Sequence, residues 1–245
     1  ELLNIVIVGG GATGIEVAGI LSEMKKFVLP NDYPDMPSSL MHIYLIEAGP
    51  RLLAGMSEES SAHAEQFLRE MGVNILLNKR VVDYRDHKVV LEDGTEIATR
   101  TFIWVSGVTG VTIGNLDASL IGRGGRIKVD SFNRVEGMNN VFAIGDQCIQ
   151  LADENYPNGH PQLAQVAIQQ GELLAKNLVR MEKGREMKPF HYRNLGSMAT
   201  VGRNRAVAEF SKVKMQGWFA WVMWLVVHLR SILGVRNKVI VLLNW

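Results

Sequence analysis

Three short apolar runs are the strongest pattern in the first half of the chain. Residues 5–8 are four β-branched residues followed by a glycine cluster, residues 41–46 are followed by Glu47, and residues 101–106 lead into Gly107. Apolar runs of this length, bounded by turn residues, are typical of strands that are buried on both faces of a parallel sheet. We therefore predict that these runs are strands of one parallel sheet.

The segment between the second and third runs predicts one helix and several short strands. Residues 57–70 have helix signals, with Ser57 as N-cap and Gly72 beyond the end. The turn pairs Asp93-Gly94 and Asp86-His87 separate strand-like runs. These runs are residues 73–77, 80–84, 88–91 and 96–98. They predict a β-meander attached to the parallel sheet, whereas the proline-rich stretch 30–37 predicts a surface loop.

The pattern restarts after residue 107. Residues 108–125 are rich in Gly, Thr and Asn and predict an irregular connection, and residues 126–130 alternate as an edge strand does. Residues 140–146 predict a buried strand ending in Gly-Asp, and residues 162–179 predict a helix with a broad apolar face. The fold class is therefore α/β, with a Rossmann-like nucleotide domain over residues 1–107.

The glycine cluster after the first strand has the spacing of a dinucleotide-binding turn. Gly9, Gly11 and Gly14 follow the pattern GxGxxG, in which the first glycine permits the tight turn, the second admits the pyrophosphate and the third lets the helix approach the strand. Gly10 and Thr13 lie within the same turn. We predict that these five residues bind the diphosphate of a dinucleotide at the start of a helix.

Glu47 is the predicted ribose ligand, because it ends the second strand of the nucleotide domain. A carboxylate accepts hydrogen bonds from a 2′-hydroxyl and repels a 2′-phosphate, which favours NADH over NADPH. Arg51 is close enough in sequence to leave NADPH open, and the alternative for Glu47 is that it only ends a strand at the surface. Gly107, at the end of the third run, is expected to present backbone to the same cofactor.

Composition narrows the function classes. The 245 residues are 47% hydrophobic with a formal net charge of +1, and no basic run interleaved with aromatic residues occurs in the first 190. These features argue against a nucleic-acid partner. The single cysteine, Cys148, excludes an internal disulfide and a CxxC metal or redox pair within these residues, and no metal site is predicted. Because the chain starts inside a strand motif without a methionine or a leader, we interpret it as a piece of a longer protein.

Several motifs resemble the flavoprotein reductases that contain two dinucleotide-binding domains. The resembling features are the glycine turn, the meander, residues 104–107 and, above all, residues 141–146. In that family the Gly-Asp at the strand end binds FAD, which implies this role for Gly145 and Asp146; a short carboxylate there accepts hydrogen bonds from ribityl hydroxyls. The resemblance implies that residues 108–190 are the C-terminal part of an FAD-binding domain.

One segment narrows the resemblance. Residues 160–170 resemble the quinone-site helix of type II NADH:quinone oxidoreductases, single-subunit membrane flavoenzymes, with Ala164 and Gln165 as the signature pair at the FAD. The resemblance implies that NADH gives a hydride to FAD and that two electrons then pass to a quinone of a respiratory chain. Pro161 suits the first turn of a helix whose positive end points at the flavin.

Glu16 and Gln165 are the candidate catalytic residues. Glu16 resembles the glutamate that this family places near the flavin and the quinone entrance, which implies a proton relay or an orienting role; its alternative is a favourable interaction with the helix dipole. Gln162, Gln165 and Gln169 are spaced to form a polar stripe that meets flavin and quinone carbonyls. The alternative for this stripe is a solvated helix surface.

The C-terminal region predicts contact with a membrane surface. Residues 218–227 are apolar, but ten residues are too few to cross a bilayer, which takes about 20. Trp218, Trp221 and Leu225 are predicted to share one face with Leu229 and Ile232, and cationic residues flank the segment. These cations are Lys212, Lys214, Arg230, Arg236 and Lys238. With the amphipathic tail that the resemblance implies, we expect residues 191–245 to form a membrane-associating region that holds the protein peripherally at the cytoplasmic face of the cell membrane through residues 212–245. The alternative is a buried packing helix or a homodimer contact.

Two other functions remain open on the sequence. A soluble NADH-dependent flavoprotein reductase of a carrier protein would share every feature up to Asp146, although it would not explain the tryptophan-rich tail. A non-catalytic NAD-binding or membrane-docking module is favoured by the lack of a second GxGxxG, because Gly122, Gly124 and Gly125 do not have the required spacing. We therefore expect the FAD-binding first turn of the family to be missing from these residues.

Overall fold

The computed structural model describes residues 3–111, 113–211, 213–232 and 234–244. The chain divides into two compact units, one formed by residues 1–106 with 196–245 and the other by residues 107–195. Lys212, one of the cations expected to flank the apolar tail, lies outside the described residues.

The first part of the first unit is a parallel sheet with a meander and three helices. Its elements in chain order are β1 (Asn4–Val8), α1 (Ala12–Glu23), α2 (Leu29–Asp32), β2 (His42–Ile46), α3 (Glu58–Glu70), β3 (Val73–Leu76), β4 (Val81–Arg85), β5 (Lys88–Leu91), β6 (Glu96–Ala98) and β7 (Thr101–Trp104). The strand order of the parallel sheet is β3-β2-β1-β7, and β4-β5-β6 is a separate antiparallel sheet. The predicted α/β fold is confirmed. The run 73–77, which we assigned to the meander, instead pairs with β2 as a parallel strand.

The second unit contains two short strands and one long helix among its described residues. They are β8 (Ile127–Val129), β9 (Cys148–Gln150) and α4 (Ala164–Glu182). The predicted strand over residues 140–146 is wrong. Only a single bridge, between Phe142 and Arg134, pairs this segment, and Val141 and Ile144 are exposed, so no ladder buries their side chains. The helix starts at Ala164, two residues later than predicted, and Pro161 therefore precedes it instead of lying in its first turn.

The C-terminal part returns to the first unit. Its elements are β10 (Ser197–Thr200), β11 (Ala206–Phe210), β12 (Val213–Gln216), α5 (Gly217–Ser231) and α6 (Val235–Asn244). The three strands form an antiparallel sheet with β11 in the centre. The sequence reasoning missed this sheet, because it assigned the whole region to membrane contact.

One hydrophobic core joins both parts of the first unit. Ile15 and Ala18 of α1 are fully buried together with Leu45 of β2, and the same cluster includes Ala199 of β10 and Val207 of β11. A second cluster lies between the parallel sheet and the meander, where Val89 and Leu91 are buried. The C-terminal sheet is therefore packed into the nucleotide domain as part of the same core.

The stretch 30–37 is only partly a loop. A π-helical turn, Met24–Val28, continues α1 into α2, and Pro30 lies in the first turn of α2, where its missing amide costs no helical hydrogen bond. The remaining residues of the stretch are almost all exposed, as predicted for a surface segment.

Glu209 of β11 ties the C-terminal sheet to α3. Its carboxylate accepts hydrogen bonds from the Ser57 amide at 3.0 Å, from the Ser60 hydroxyl at 2.6 Å and from the Ser57 hydroxyl. Burial acts to raise the pKa of Glu209, but these hydrogen bonds outweigh it and hold the pKa below its ordinary value. Ser57 is also the N-cap of α3, as predicted, so one carboxylate fixes the start of this helix.

We expect Glu209→Gln to lower the free energy of unfolding by about 1–3 kcal/mol at pH 7, because an amide cannot accept from all three donors as a carboxylate does. The lowered folded-state pKa contributes stability above about pH 4.3, the unfolded value, and this stability is lost as the pH falls through the folded value. Urea unfolding at a series of pH values measures the difference from the wild type. Glu96→Gln is the control, since Glu96 forms an exposed ion pair with Lys88 in the meander. A Glu209→Gln effect that does not shrink toward low pH would contradict this assignment.

Candidate functional site

The glycine turn brings β1 and α1 together at one edge of the parallel sheet. Gly9 has a φ of +118°, and a methyl group on Gly14 would overlap the Gly9 carbonyl oxygen. Around the Cβ position of Gly11, in contrast, no atom lies within 4 Å. The N-cap of α1 is Gly11 itself, which makes no side-chain capping bond. No side chain of the N-cap residue binds the first turn of α1 and the space beside Gly11 is open, which fits an anionic diphosphate at this helix end. Thr13 is exposed in this first turn.

Glu47 lies beside this turn, immediately after β2. Its carboxylate accepts hydrogen bonds from the amides of Gly10 at 2.6 Å and Gly49 at 2.7 Å. A carboxylate has about four acceptor positions, so the fixed Glu47 retains capacity for ribose hydroxyls. Arg51 donates to the carbonyl oxygens of Met56 at 2.8 Å and Ala54 at 2.9 Å, so its guanidinium is engaged within its own loop. This arrangement fits NADH and gives no support to Arg51 as a 2′-phosphate ligand.

Sequence reasoning did not assign several residues that share a cavity with Glu47. The cavity has a volume of about 160 Å³, and its lining includes Lys79, Arg80, Val81 and Trp104. Lys79 and Arg80 follow β3 as Glu47 follows β2. Because neighbouring parallel strands end at the same edge of the sheet, this position in the sequence could have predicted that they lie near Glu47. Gly107 has a φ of +81° and begins the second unit.

Glu16 faces a second, larger cavity on the other side of α1. The cavity measures about 440 Å³, and Ile20, Thr200, Trp221 and Trp224 contribute to its wall. The Glu16 carboxylate accepts a hydrogen bond from the Thr200 amide at 3.4 Å. Glu16 is therefore directed toward β10 and α5, away from the diphosphate turn, and the cavity combines apolar rings with carboxylates.

In the second unit, α4 fixes the turn that contains Gly145 and Asp146. The buried Gln170 side chain accepts a hydrogen bond from the Gly145 amide at 2.7 Å, and Gly145 has a φ of +66°. The Gln162 amide group donates to the Asp146 carbonyl oxygen at 3.0 Å, whereas Asp146 itself is exposed. Ala164 is the first residue of the helix, and its N-cap, Leu163, gives no side-chain bond. Exposed carboxylate and open helix amides fit the polyol and phosphate groups of FAD.

The glutamines of α4 contact an extended segment of the chain. Gln165 accepts a hydrogen bond from the Leu195 amide at 3.0 Å. Gln169 forms two bonds with the backbone of Arg193, at 2.9 and 3.1 Å, and Asn177 forms two with Lys188. These amide side chains replace the partner strand that the segment 188–195 lacks among the described residues. The stripe spans only part of the helix, because Gln162 precedes α4.

A buried hydrogen bond between two side chains anchors the loop that leads to α4. His160 Nε2 and Asp153 Oδ2 are 3.0 Å apart, and both side chains are almost completely buried. Burial acts to raise the pKa of Asp153, but the hydrogen bond with His160, together with those from the amides of Asn155 and Tyr192, lowers it below its ordinary value. The rings of Tyr156, Phe190 and Tyr192 surround His160. The loop therefore has its own small core, which sequence reasoning did not predict.

Comparisons with known proteins give matches over nearly the whole chain. The pyridine nucleotide-disulphide oxidoreductase family matches residues 2–171, and the NDH2 C-terminal domain matches residues 194–245. Type II NADH:quinone oxidoreductase NdhA of Mycobacterium tuberculosis is 35% identical over 99% of the chain, which covers 53% of that protein. Internal alternative NAD(P)H-ubiquinone oxidoreductase A1 of Arabidopsis thaliana mitochondria is 33% identical over all of the chain, which covers 51% of it. The chain spans about half the length of the curated relatives it matches.

Solved structures show the same fold. NDH2 from Plasmodium falciparum in complex with NADH superposes with a TM-score of 0.86 at 20% identity, over 97% of this chain and 63% of that one. A ferredoxin reductase from Rhodopseudomonas palustris superposes with a TM-score of 0.60 at 17% identity, over 84% of this chain and 46% of that one.

Proposed function

The chain belongs to the pyridine nucleotide-disulphide oxidoreductase family and, within it, to the type II NADH:quinone oxidoreductases, and from this premise we propose that it supplies the NADH site and part of the FAD site of a non-proton-pumping NADH:quinone oxidoreductase. FAD and NADH are the cofactors of this family. The proposed overall reaction is the oxidation of NADH by a membrane quinone. The observation that carries the proposal is the presence, on one helix, of a dinucleotide turn and of a carboxylate in an apolar cavity.

The NADH site uses both charge and shape. The diphosphate binds at the start of α1, where Gly11 leaves room for it and the helix dipole is positive. The fixed carboxylate of Glu47 accepts from the ribose hydroxyls and repels a 2′-phosphate, so NADH is preferred over NADPH. Gly9, Gly10, Thr13 and Gly14 complete the turn, and the backbone at Gly107 is its proposed neighbour on the cofactor.

The FAD contacts proposed for the second unit lie around the start of α4. Bound FAD supplies the redox chemistry, because it accepts a hydride and releases electrons. Asp146 accepts hydrogen bonds from the ribityl chain, and the turn at Gly145 holds it in place through Gln170. The open amides at Ala164 and the side chain of Gln165 face the ring system in this proposal.

The quinone site proposed for the first unit is the cavity that contains Glu16. The rings of Trp221 and Trp224 provide apolar walls for a quinone headgroup, and the Glu16 carboxylate can orient it or deliver a proton to its oxygen. This proposal gives Glu16 a role that interaction with the helix dipole does not provide, since its side chain contacts Thr200 instead of the first helical turn.

The outer face of α5 is proposed to rest on the membrane surface. Trp218, Phe219, Met223, Val226 and Val227 of this helix are exposed, whereas Ala220, Trp224 and Leu225 are buried. Trp218, Trp221 and Leu225 do share one side of α5, as their spacing in one helix requires. Trp218 is exposed and Leu225 is buried, however, so this side lies at the margin of the contact with β11 and is not the outward face. Among the described residues, no helix is both long and apolar enough to cross a bilayer. We propose peripheral association at the cytoplasmic face, supported by the exposed apolar residues of α6.

The alternative of a soluble carrier-protein reductase has less support. The ferredoxin reductase similarity establishes the fold alone, and it covers 84% of the chain. The match to the NDH2 C-terminal domain over residues 194–245 favours the quinone enzyme, because this region provides β10 and α5 of the Glu16 cavity. A non-catalytic docking module has no need for a carboxylate in that cavity.

We expect Gly11→Ala to raise the Kd for NADH at least about 10-fold without changing the melting temperature, because its methyl group points into the space of the diphosphate and contacts no protein atom. Gly14→Ala is the matched variant, and we expect it to lower the melting temperature, because its methyl group overlaps the Gly9 carbonyl. Calorimetric NADH titration and thermal unfolding measure the two effects. Wild-type NADH affinity in Gly11→Ala would contradict the site.

Glu16→Gln tests the quinone role. We expect kcat/KM for a short-chain quinone to fall about 100-fold, within the range for proton transfer by a positioned side chain, while NADH-dependent reduction of ferricyanide is unchanged. Glu23→Gln, in the same cavity, is the control, because the Arg203 amide already binds the Glu23 carboxylate. If the wild type shows no quinone-dependent NADH oxidation, the proposed function fails; if only Glu16→Gln is unaffected, the role of Glu16 fails.

The double variant Phe219→Glu, Val226→Glu tests the membrane face. We expect its binding to vesicles of phosphatidylcholine and phosphatidylglycerol to fall at least about 10-fold in co-sedimentation, because two charges replace inserted apolar side chains. Val82→Glu, at an exposed site of β4, is the control. If sedimentation velocity instead shows a dimer that the double variant dissociates while vesicle binding is unchanged, the face is a homodimer contact.

A further inference from the structure

Trp104 is a large aromatic side chain left exposed at the C-terminal end of β7. Its exposed fraction is 56%, although the parallel sheet around it is buried. Trp104 pairs in register with Val8, the residue before the glycine turn, and Ser106 approaches the Gly9 backbone closely. The indole therefore lies at the edge of the sheet where the diphosphate turn begins. The glycine motif does not account for this residue.

The orientation of the indole ring is fixed by the protein. Its Nε1–H donates a hydrogen bond to the Ser106 carbonyl oxygen at 2.8 Å. Its edge packs on Phe102, with ring centroids 6.1 Å apart at 63°, and Phe102 stacks on Tyr84 at 4.7 Å. A ring held in this way loses little conformational entropy when a ligand stacks on it.

The cavity that Trp104 lines also contains Glu47, the proposed ligand of the adenosine ribose. A base is bonded directly to that ribose, so it must lie within one sugar of the Glu47 carboxylate. Val81 and Arg80 provide further wall for a flat ring. Exposed aromatic rings are the usual stacking surface for nucleic-acid bases, and such stacking does not require hydrogen bonds to the base edge.

We propose that Trp104 is a binding residue that stacks on the adenine ring of NADH. The inference rests on the proposed NADH site and deepens it: Glu47 selects the ribose, the glycine turn binds the diphosphate and Trp104 binds the base. Trp104 contributes to affinity and not to hydride transfer, because adenine takes no part in the chemistry.

The test compares ligands with and without adenine on the 245-residue protein. We expect Trp104→Ala to raise the Kd for NAD⁺ and for ADP about 10-fold in calorimetric titration, the loss typical of one base–aromatic stack. Trp104→Phe retains a stacking ring and should stay within about 3-fold of the wild type. Tyr33→Ala, which removes a comparably exposed aromatic side chain from the surface stretch 30–37, should leave both Kd values unchanged.

Steady-state kinetics separate the adenine end from the nicotinamide end. For Trp104→Ala, we expect KM for NADH to rise with kcat unchanged, whereas kcat and KM for reduced nicotinamide mononucleotide, which lacks adenine, stay at the wild-type values. Thermal unfolding of Trp104→Ala and Trp104→Phe shows whether either variant loses its fold. If Trp104→Ala does, Trp104→Leu takes its place and is compared with Trp104→Phe.

The outcomes distinguish this inference from the proposed function. Unchanged Kd values for NAD⁺ and ADP in Trp104→Ala overturn the stacking role and leave the NADH site intact. Equal losses with NADH and with reduced nicotinamide mononucleotide also overturn it, because the effect would not belong to adenine. A wild-type protein that binds neither NAD⁺ nor ADP overturns the proposed NADH site and this inference together.

Discussion

The close approach of α1 to two backbones is the constraint on which the first unit depends. A methyl group on Gly14 would overlap the Gly9 carbonyl oxygen, and one on Gly19 would lie 2.8 Å from the Gly202 amide nitrogen. Five residues of helix turn through about 500°, or 140° beyond a full turn, so the two glycines lie on well-separated sides. The helix is therefore held between β1 on one side and the turn after β10 on the other. No residue with a Cβ fits either contact without movement of the backbone.

This double contact places both proposed sites of the first unit on a single helix. Gly14 fixes its first turn, the proposed diphosphate site, against β1. The side chain of Glu16, about 3 Å further along the axis than Gly14, reaches the cavity toward α5. Ile20 and Glu23 continue the same wall. The nucleotide turn and the proposed quinone cavity are thus parts of one rigid element, and a shift of α1 would move both. The buried Ile15 and Ala18, between the two glycines, resist such a shift.

The sequence predicts those parts of the fold in which local chemistry decides the structure. The GxGxxG spacing, the Ser57 cap and the Asp86-His87 turn, where both residues have positive φ, each specify a local conformation that tertiary packing does not override. Prediction fails where the structure of a segment depends on the segments that it pairs or packs with. Residues 140–146 have the composition of a strand but form no ladder beyond one bridge. The short strands β10–β12 pair with each other inside the C-terminal region, whose tryptophans led us to predict membrane contact instead. Gln165 was assigned from a resemblance, and its Leu195 contact depends on an extended segment that no periodicity reveals.

The same reasoning explains why helical periodicity did not identify which side of α5 is exposed. An amphipathic helix shows one apolar stripe because one side meets the core and the other meets water. Ala220 and Trp221 of α5 pack with the C-terminal sheet, which shares the core of the nucleotide domain. Phe219 and Val226 on the outer side are also apolar, yet they are exposed. A side that is apolar without protein behind it needs another apolar phase or a second protein surface to cover it. The sheet beneath α5 is bound to α3 through Glu209. The exposed side of α5 therefore has a fixed position, and so does the Glu16 cavity relative to that side.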